Sequence, residues 1–295
     1  MKLSYTTLDV FTSTRYAGNP VAVIRVPSGT SLTQSQKQAI AAEFNLSEIV
    51  FLHLPATTEG TPSTERKIDI FTHQAEVPFA GHPTIGTSHY LLETTSQDVK
   101  TVITKAGKIA IEKDVQTGEV KAEIPFDFHV HEKTFGSVLN GIENPVASIV
   151  NGMSFIYVVL PDLETLAKAG ENLNGDTYDP AALDEGWRNG LVGTMYLVPQ
   201  GTDEFGRKKY RTRMFGSRED PGTGSASSGL GCWLAGQESK GLGRGPFKYA
   251  FTQGVEMGRK NEIGVEVTRG EDREEIQKVV LSGTATTVME GTLEV

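Results

Sequence analysis

Apolar and polar positions alternate in short runs along most of this chain, and glycine or proline interrupts nearly every run. A period of two broken by turn formers predicts a strand-rich fold with a few helices. Residues 4–11 and 21–26 read as strands on either side of Ala17-Gly18-Asn19-Pro20, where glycine supplies a positive φ and proline a fixed one. Ser31 or Thr33 is placed to cap a helix running to about Phe44, with Ile40 and Phe44 on one face, and residues 49–54 follow as a buried strand. Glu48 stands at that helix-to-strand junction. Residues 67–71 predict a further strand, and Pro78-Phe79-Ala80-Gly81-His82-Pro83 leads into a helix of small and apolar residues over 84–92, with Pro83 as its first residue.

The same order recurs later in the chain. A strand pair over 149–160 turns near Asn151-Gly152, a helix covers 162–168, and strands cover 193–198 and 210–215. A glycine-rich stretch then precedes a small-residue helix over 227–235. Glu76-Val77-Pro78-Phe79-Ala80-Gly81-His82 and Glu219-Asp220-Pro221-Gly222-Thr223-Gly224-Ser225 share Glu-x-Pro-x-x-Gly, 143 positions apart in a chain of 295. A duplicated two-domain α/β fold is the expectation, with the cleft between the halves as the place for a site. Each loop opens a helix, whose free N–H groups and positive dipole end suit a carboxylate or an enolate. The plainer alternative is that the glycines only permit tight turns and close packing.

Composition narrows the function. Against 37 Asp+Glu there are 28 Lys+Arg, a formal charge of −9 with no basic cluster, which is the wrong field for a nucleic-acid backbone. No apolar run is long enough to span a bilayer, so no membrane partner is expected. Residues 1–11 carry no basic segment followed by an apolar one, and the single cysteine, Cys232, has no intramolecular partner, so a reducing, cytosolic compartment is expected. Small molecules or protein partners remain. Gly224 to Gly229 has P-loop spacing, but Leu230 stands where lysine is required; Gly222-Thr223-Gly224 lacks the third glycine of a dinucleotide fingerprint; no serine has the Gly-x-Ser-x-Gly frame of a hydrolase. His129 and His131 share a strand face and His82 and His89 lie two helical turns apart, but neither pair has a third ligand at metal spacing, so no metal is expected. The acid-base candidates are Glu48, His82, Asp220 and Ser225. Glu48 leads, because Leu46, Ile49, Val50 and Phe51 supply an apolar wall that would raise its pKa and let it both take and return a proton. Read instead as a solvated residue ahead of a strand, it would do neither. Its counterpart in the repeat falls near Thr194, which is no base, and this asymmetry points to one-base chemistry.

Asp9-Val10-Phe11-Thr12 through Ala17-Gly18-Asn19-Pro20-Val21-Ala22-Val23, then Asn45-Leu46-Ser47-Glu48, the two duplicated loops, and Gln253-Gly254 with Gly258-Arg259 together resemble the PhzF-like family of phenazine biosynthesis. Leu281-Ser282-Gly283-Thr284-Ala285 with Val288 and Gly291 resembles that family's final strands. The resemblance covers nearly the whole chain. It implies a fold similar to diaminopimelate epimerase: two pseudo-symmetric domains, 1–127 with 283–295 and 128–282, each a curved mixed β-sheet wrapped around a central α-helix, with the active site in the cleft between them. It also implies a cofactor-independent isomerase and a homodimer, since the family's characterised enzyme shifts a double bond of trans-2,3-dihydro-3-hydroxyanthranilate by proton transfer. By matching motifs, Glu48 is the proton-transferring carboxylate, and His82, Asp220 and Ser225 hold and polarise substrate. Asn19, Gly81, Gly222, Thr223 and Gly224 are the implied binding residues, the backbone amides around Gly81 and Gly224 receiving the substrate carboxylate. The related epimerases carry a cysteine in each loop, where this chain has Ala80 and Pro221, so a two-thiol racemase is disfavoured. The chain departs from some relatives at Ser227-Ser228, where they have histidine, and in the charged insert over 201–209. A small cyclic or unsaturated carboxylate is the expected substrate class; a non-catalytic binding or regulatory protein is the competing expectation.

Overall fold

The computed structural model describes residues 1–56, 63–272 and 274–295. They divide into two compact units, residues 1–124 with 282–295, and residues 125–281.

The first unit opens with β1 (Lys2–Val10) and β2 (Asn19–Val26), which pair antiparallel. Gly18 closes the connection at φ +66°, where a Cβ would lie 2.3 Å from the Val10 carbonyl oxygen, so no other residue fits. α1 (Gln34–Phe44) is capped by Thr33 and not Ser31: its hydroxyl accepts from the Gln36 amide while the Gln36 side chain accepts from the Thr33 amide, a reciprocal arrangement. β3 (Glu48–His53) then runs parallel to β2 and antiparallel to β4 (Glu65–Phe71). The two-residue β5 (Glu76–Val77) folds back on β4 and delivers the chain to α2 (Gly81–His89). β6 (Thr101–Thr104) lies parallel to β4, and β7 (Gly107–Lys113) and β8 (Val120–Glu123) follow antiparallel. The C-terminal strand, Ala285–Glu294, pairs with the other side of β1.

α2 begins at Gly81, ahead of the start expected at 83–84, and Pro83 is its third residue rather than its first. The first-turn N–H groups of a helix have no intrahelical partner, so proline's missing donor costs nothing at any of these positions. Beyond His89 the chain continues as one π-helical turn, Tyr90–Thr94.

In the second unit, β9 (His129–Ser137) pairs antiparallel with β10 (Ile142–Val150), and β10 with β11 (Met153–Val159). α3 (Leu163–Ala167) is capped by Asp162, whose side chain accepts from the Thr165 amide. β12 (Leu191–Thr202) runs parallel to β11 and antiparallel to β13 (Lys208–Phe215), followed by β14 (Glu219–Asp220), α4 (Gly224–Gln237), β15 (Phe247–Gln253) and β16 (Asn261–Arg269). α4, like α2, starts before its expected position. The charged insert is the tip of the β12–β13 hairpin, where the Asp203 carboxylate accepts from the Phe205 and Arg207 amides and pairs with the Arg207 guanidinium.

The duplication read from one motif extends to six consecutive ladders in each unit. Antiparallel β1–β2, parallel β2–β3, antiparallel β3–β4 and β4–β5, parallel β4–β6 and antiparallel β6–β7 recur in the same order as β10–β11, β11–β12, β12–β13, β13–β14, β13–β15 and β15–β16. Phe71 faces Glu76 as Phe215 faces Glu219. Each unit is thus a mixed sheet around one buried helix. The helices approach their sheets through glycines at equivalent positions: a Cβ at Gly86 would lie 2.7 Å from Val21 and 2.8 Å from Val10, and one at Gly229 would lie 2.4 Å from the Tyr157 hydroxyl. Packing this close accounts for the small-residue composition of both helices. Among the described residues, no helix is long and apolar enough to cross a membrane.

Candidate active site

β3 is buried on both faces, with residues 49–52 each at 1% exposure or less. Ile49 and Phe51 pack with Ala41 of α1 in one core cluster. Alternation along a strand therefore turns Glu48, with Val50 and Leu52, toward the opposite face, where α2 packs against β3. Glu48 meets His82 there, its Oε2 lying 3.3 Å from His82 Nδ1; the imidazole is buried at 5% and the carboxylate is 21% exposed. The reading of Glu48 as a fully solvated residue is thereby set aside.

His82 is the second residue of α2. The cap residue, Ala80, offers no side-chain acceptor, so the amides of the first turn carry the positive end of the helix with no capping oxygen to neutralise it. Asn19 sits at the start of β2, with its Oδ1 accepting from the Ser47 hydroxyl next to Glu48. The loop before it is held by buried Asp9, whose carboxylate accepts from the Tyr16 amide at 2.6 Å while Tyr16 takes a φ of +68°. Glu48, His82, Gly81 and Asn19 are therefore gathered in one unit. A carboxylate between water and an apolar core, touching an imidazole at a helix start, is equipped to move a proton beside a developing negative charge.

Asp220, Gly222, Thr223, Gly224 and Ser225 form a second cluster, in the other unit. Thr223 is the cap residue of α4, yet its hydroxyl is turned away from the helix and donates to Asp220 Oδ2 at 2.6 Å. The Gly222 amide donates to the other Asp220 oxygen at 3.4 Å. Gln253, fully buried, ties this loop down: its Oε1 accepts from the Thr223 amide and its Nε2 donates to the Asp220 carbonyl oxygen and to the Thr223 hydroxyl. Asn261, equally buried, donates to the carbonyl oxygens of Pro221 and Arg259. A Cβ on Gly222 would fall 2.3 Å from the Asn261 side chain, so this glycine answers a close approach. Ser225 is the second residue of α4, the place His82 holds in α2.

The ladders refine one reading. Ile49 faces Phe71 as Thr194 faces Phe215, so Thr194 corresponds to Ile49, and the counterpart of Glu48 is Gly193. Thr194 is buried and structural, its hydroxyl donating to Asn172 and accepting from the Leu173 amide. Glycine is no more a base than threonine, and the two units remain chemically unequal.

Sequence reasoning assigned no role to Gln253 or Asn261. Gln253-Gly254 lies among the residues that carry the family resemblance, whereas Asn261 stands in no motif and meets Pro221 across 40 residues. Cys232 is fully buried, and burial pushes its thiol far above the ordinary value, which removes it from thiolate chemistry.

A family model described as phenazine biosynthesis-like protein matches residues 8–291. The chain is 30% identical to the trans-2,3-dihydro-3-hydroxyanthranilate isomerase of Pseudomonas fluorescens over 312 aligned positions, covering 98% of this chain and 99% of that one. It is also 30% identical to an uncharacterized isomerase of Pasteurella multocida, covering 91% of this chain and 88% of the relative. Among solved structures, a PhzF-family phenazine biosynthesis protein of Bacillus anthracis matches at TM-score 0.76 and 24% identity over the full length of both chains. A hydroxyproline epimerase of Agrobacterium vitis shares the fold at TM-score 0.60 and 15% identity, covering 99% of this chain and 92% of that one.

Proposed function

The chain belongs to the phenazine biosynthesis-like family, and from that premise we propose that it is an isomerase in which Glu48 moves one proton along an unsaturated carboxylate. The observation that carries this reading is the half-buried Glu48 carboxylate 3.3 Å from His82 Nδ1 in the first turn of an uncapped helix. The Glu48 carboxylate takes a proton from a carbon beside a carbon–carbon double bond; the C–H electron pair becomes the new double bond, and the old one shifts toward the conjugated carboxylate. The charge that develops on the carboxylate oxygens is the kind that first-turn helix amides stabilise. Protonated Glu48, whose acidic proton exchanges with water, then returns a proton to the far carbon of the allylic system. Atoms and charge balance with no further reactant. His82, 3.3 Å away, orients the carboxylate. Asp220 and Ser225 enter this reading as polar groups at a helix start of the same kind, each tested by its own variant.

The relatives named trans-2,3-dihydro-3-hydroxyanthranilate isomerases make that cyclic amino-diene carboxylate the first compound to try. The protein is incubated with it in heavy water and followed by proton NMR, beside Glu48→Gln, His82→Asn, Asp220→Asn and Ser225→Ala. Turnover with deuterium at the newly saturated carbon, reduced by about 10²–10⁴ in Glu48→Gln, is the expected result. A Glu48→Gln variant that turns over at the wild-type rate overturns the assignment. Exchange seen only with other unsaturated carboxylates moves the substrate and keeps the chemistry.

A further inference from the structure

We propose that His129, His131 and Asp184 form a binding site for a divalent transition-metal ion of the zinc type, apart from the proton-transfer residues. The sequence offered the two histidines on one face of β9 but no third ligand near them. The fold supplies it from a segment more than 50 residues on. Asp184 Oδ2 lies 2.8 Å from His129 Nε2 and 3.6 Å from His131 Nδ1, and the three donor atoms all fall within 4.8 Å of one another. Donors bound tetrahedrally at zinc distances are about 3.3 Å apart, so the two measured separations bracket what an ion requires.

The surroundings orient the ligands as well. His131 is buried, and its Nε2 lies 2.8 Å from the Ser148 hydroxyl, itself 2.6 Å from the Ser154 hydroxyl. The Asp184 amide approaches Nδ1 of the same ring at 3.4 Å, which makes Nδ1 the acceptor and places the ring proton on Nε2. The lone pair a metal needs therefore faces Asp184, whose amide holds it at 3.4 Å and would give way to an ion, while the other ring nitrogen is anchored behind it, the usual second layer of a histidine–metal site. Asp184 is fixed in turn: Leu183 before it is buried in the core, and its carboxylate accepts from the Glu132 amide. Trp187 stacks on His129 with ring centroids 4.7 Å apart at 9°, holding the exposed member of the set. His129 and Asp184 stay partly open, leaving one face of the site for water. Binding would displace the His129–Asp184 hydrogen bond and the one from the Asp184 amide to His131 Nδ1, and tie β9 to the segment carrying Asp184.

Trp187 also provides the assay. Chelator-treated full-length protein is titrated with Co²⁺ and with Zn²⁺ near neutral pH, following tryptophan fluorescence, the visible Co²⁺ bands and the thermal midpoint. One equivalent of Co²⁺ should quench the Trp187 emission and give a tetrahedral visible spectrum, and Zn²⁺ should displace it and raise the midpoint. Asp184→Asn and His129→Gln should each weaken binding at least about 10-fold, the scale on which such sites respond to loss of a ligand or its support. His73→Gln, an exposed histidine elsewhere, should bind as wild type, as should Glu48→Gln. Affinity weaker than about 0.1 mM, roughly 5.5 kcal/mol, overturns the proposal. So does binding that survives in both folded ligand variants.

Discussion

Asp69 of β4 is 9% exposed, and it joins three elements: Lys37 Nζ of α1 lies 2.5 Å from its Oδ2, and His53 Nε2 of β3 lies 2.7 Å from the same oxygen. Burial pushes this carboxyl up, but the hydrogen bonds and charges of His53 and Lys37 together outweigh burial and bring it down to about 2 from 3.8. A carboxyl whose folded value is depressed contributes stability that is present above its unfolded value and is lost as pH falls through its folded one. Here the window is about pH 4 to 2. The difference from 3.8 to about 2 corresponds to about 2 kcal/mol at neutral pH, of which roughly half is gone by pH 3. Urea unfolding of wild type and Asp69→Asn at pH 7, 5, 4 and 3 isolates this group. The substitution leaves the largely buried Lys37 without its counter-charge, so the variant is less stable at pH 7, and the gap should narrow by about 1 kcal/mol between pH 5 and 3. A gap that stays constant over that range, within the error of the extrapolation, refutes the depressed carboxyl and the charge-pairing argument with it.

Gly86→Ala and Gly229→Ala should each cost about 1–3 kcal/mol in denaturant unfolding, because the new methyl meets atoms at 2.7 Å and 2.4 Å. Gly236→Ala, in the last turn of α4 with nothing within 4 Å, should stabilise by roughly 0.4–1 kcal/mol; equal effects at all three sites would contradict the close-packing account. Cys232 should react with a thiol reagent only as fast as the protein opens, so that adding sub-denaturing urea speeds labelling; rapid labelling in buffer would show that the thiol is not enclosed. Gln253→Leu removes three hydrogen bonds from the loop around Asp220 and leaves the Thr223 amide without its acceptor, a loss of about 1–3 kcal/mol. If the second cluster serves substrate binding, the same variant raises KM more than it lowers kcat once the substrate is in hand; an unchanged KM separates the loop from binding.

The sequence by itself determined what depends on neighbours along the chain. Alternation and turn formers placed β1 to β4, β11 to β13 and the Gly18 turn, and narrowed the α1 cap to Ser31 or Thr33, since backbone sterics and a three-residue capping reach decide these locally; β10 begins seven residues before the expected 149, and β6 to β9, β15 and β16 were not read from the pattern. The duplicated Glu-x-Pro-x-x-Gly loops were legible for the same reason, and they put His82 and Ser225 in the loops that lead into the two helices. The true first turns at Gly81 and Gly224 were not legible, because glycine is permissive and a buried helix of small residues has no amphipathic edge to mark its beginning. Tertiary structure alone decided the contacts that carry chemistry. Glu48 reaches His82 because a parallel crossover sets β3 against α2, and pleating then selects the face. Gln253 and Asn261 sit beneath the Asp220 loop because β15 and β16 return to it across 30 and 40 residues of chain. Asp184 joins His129 and His131 across a longer gap still. Strand order fixes such meetings, and strand order is settled by long-range pairing that no local pattern encodes.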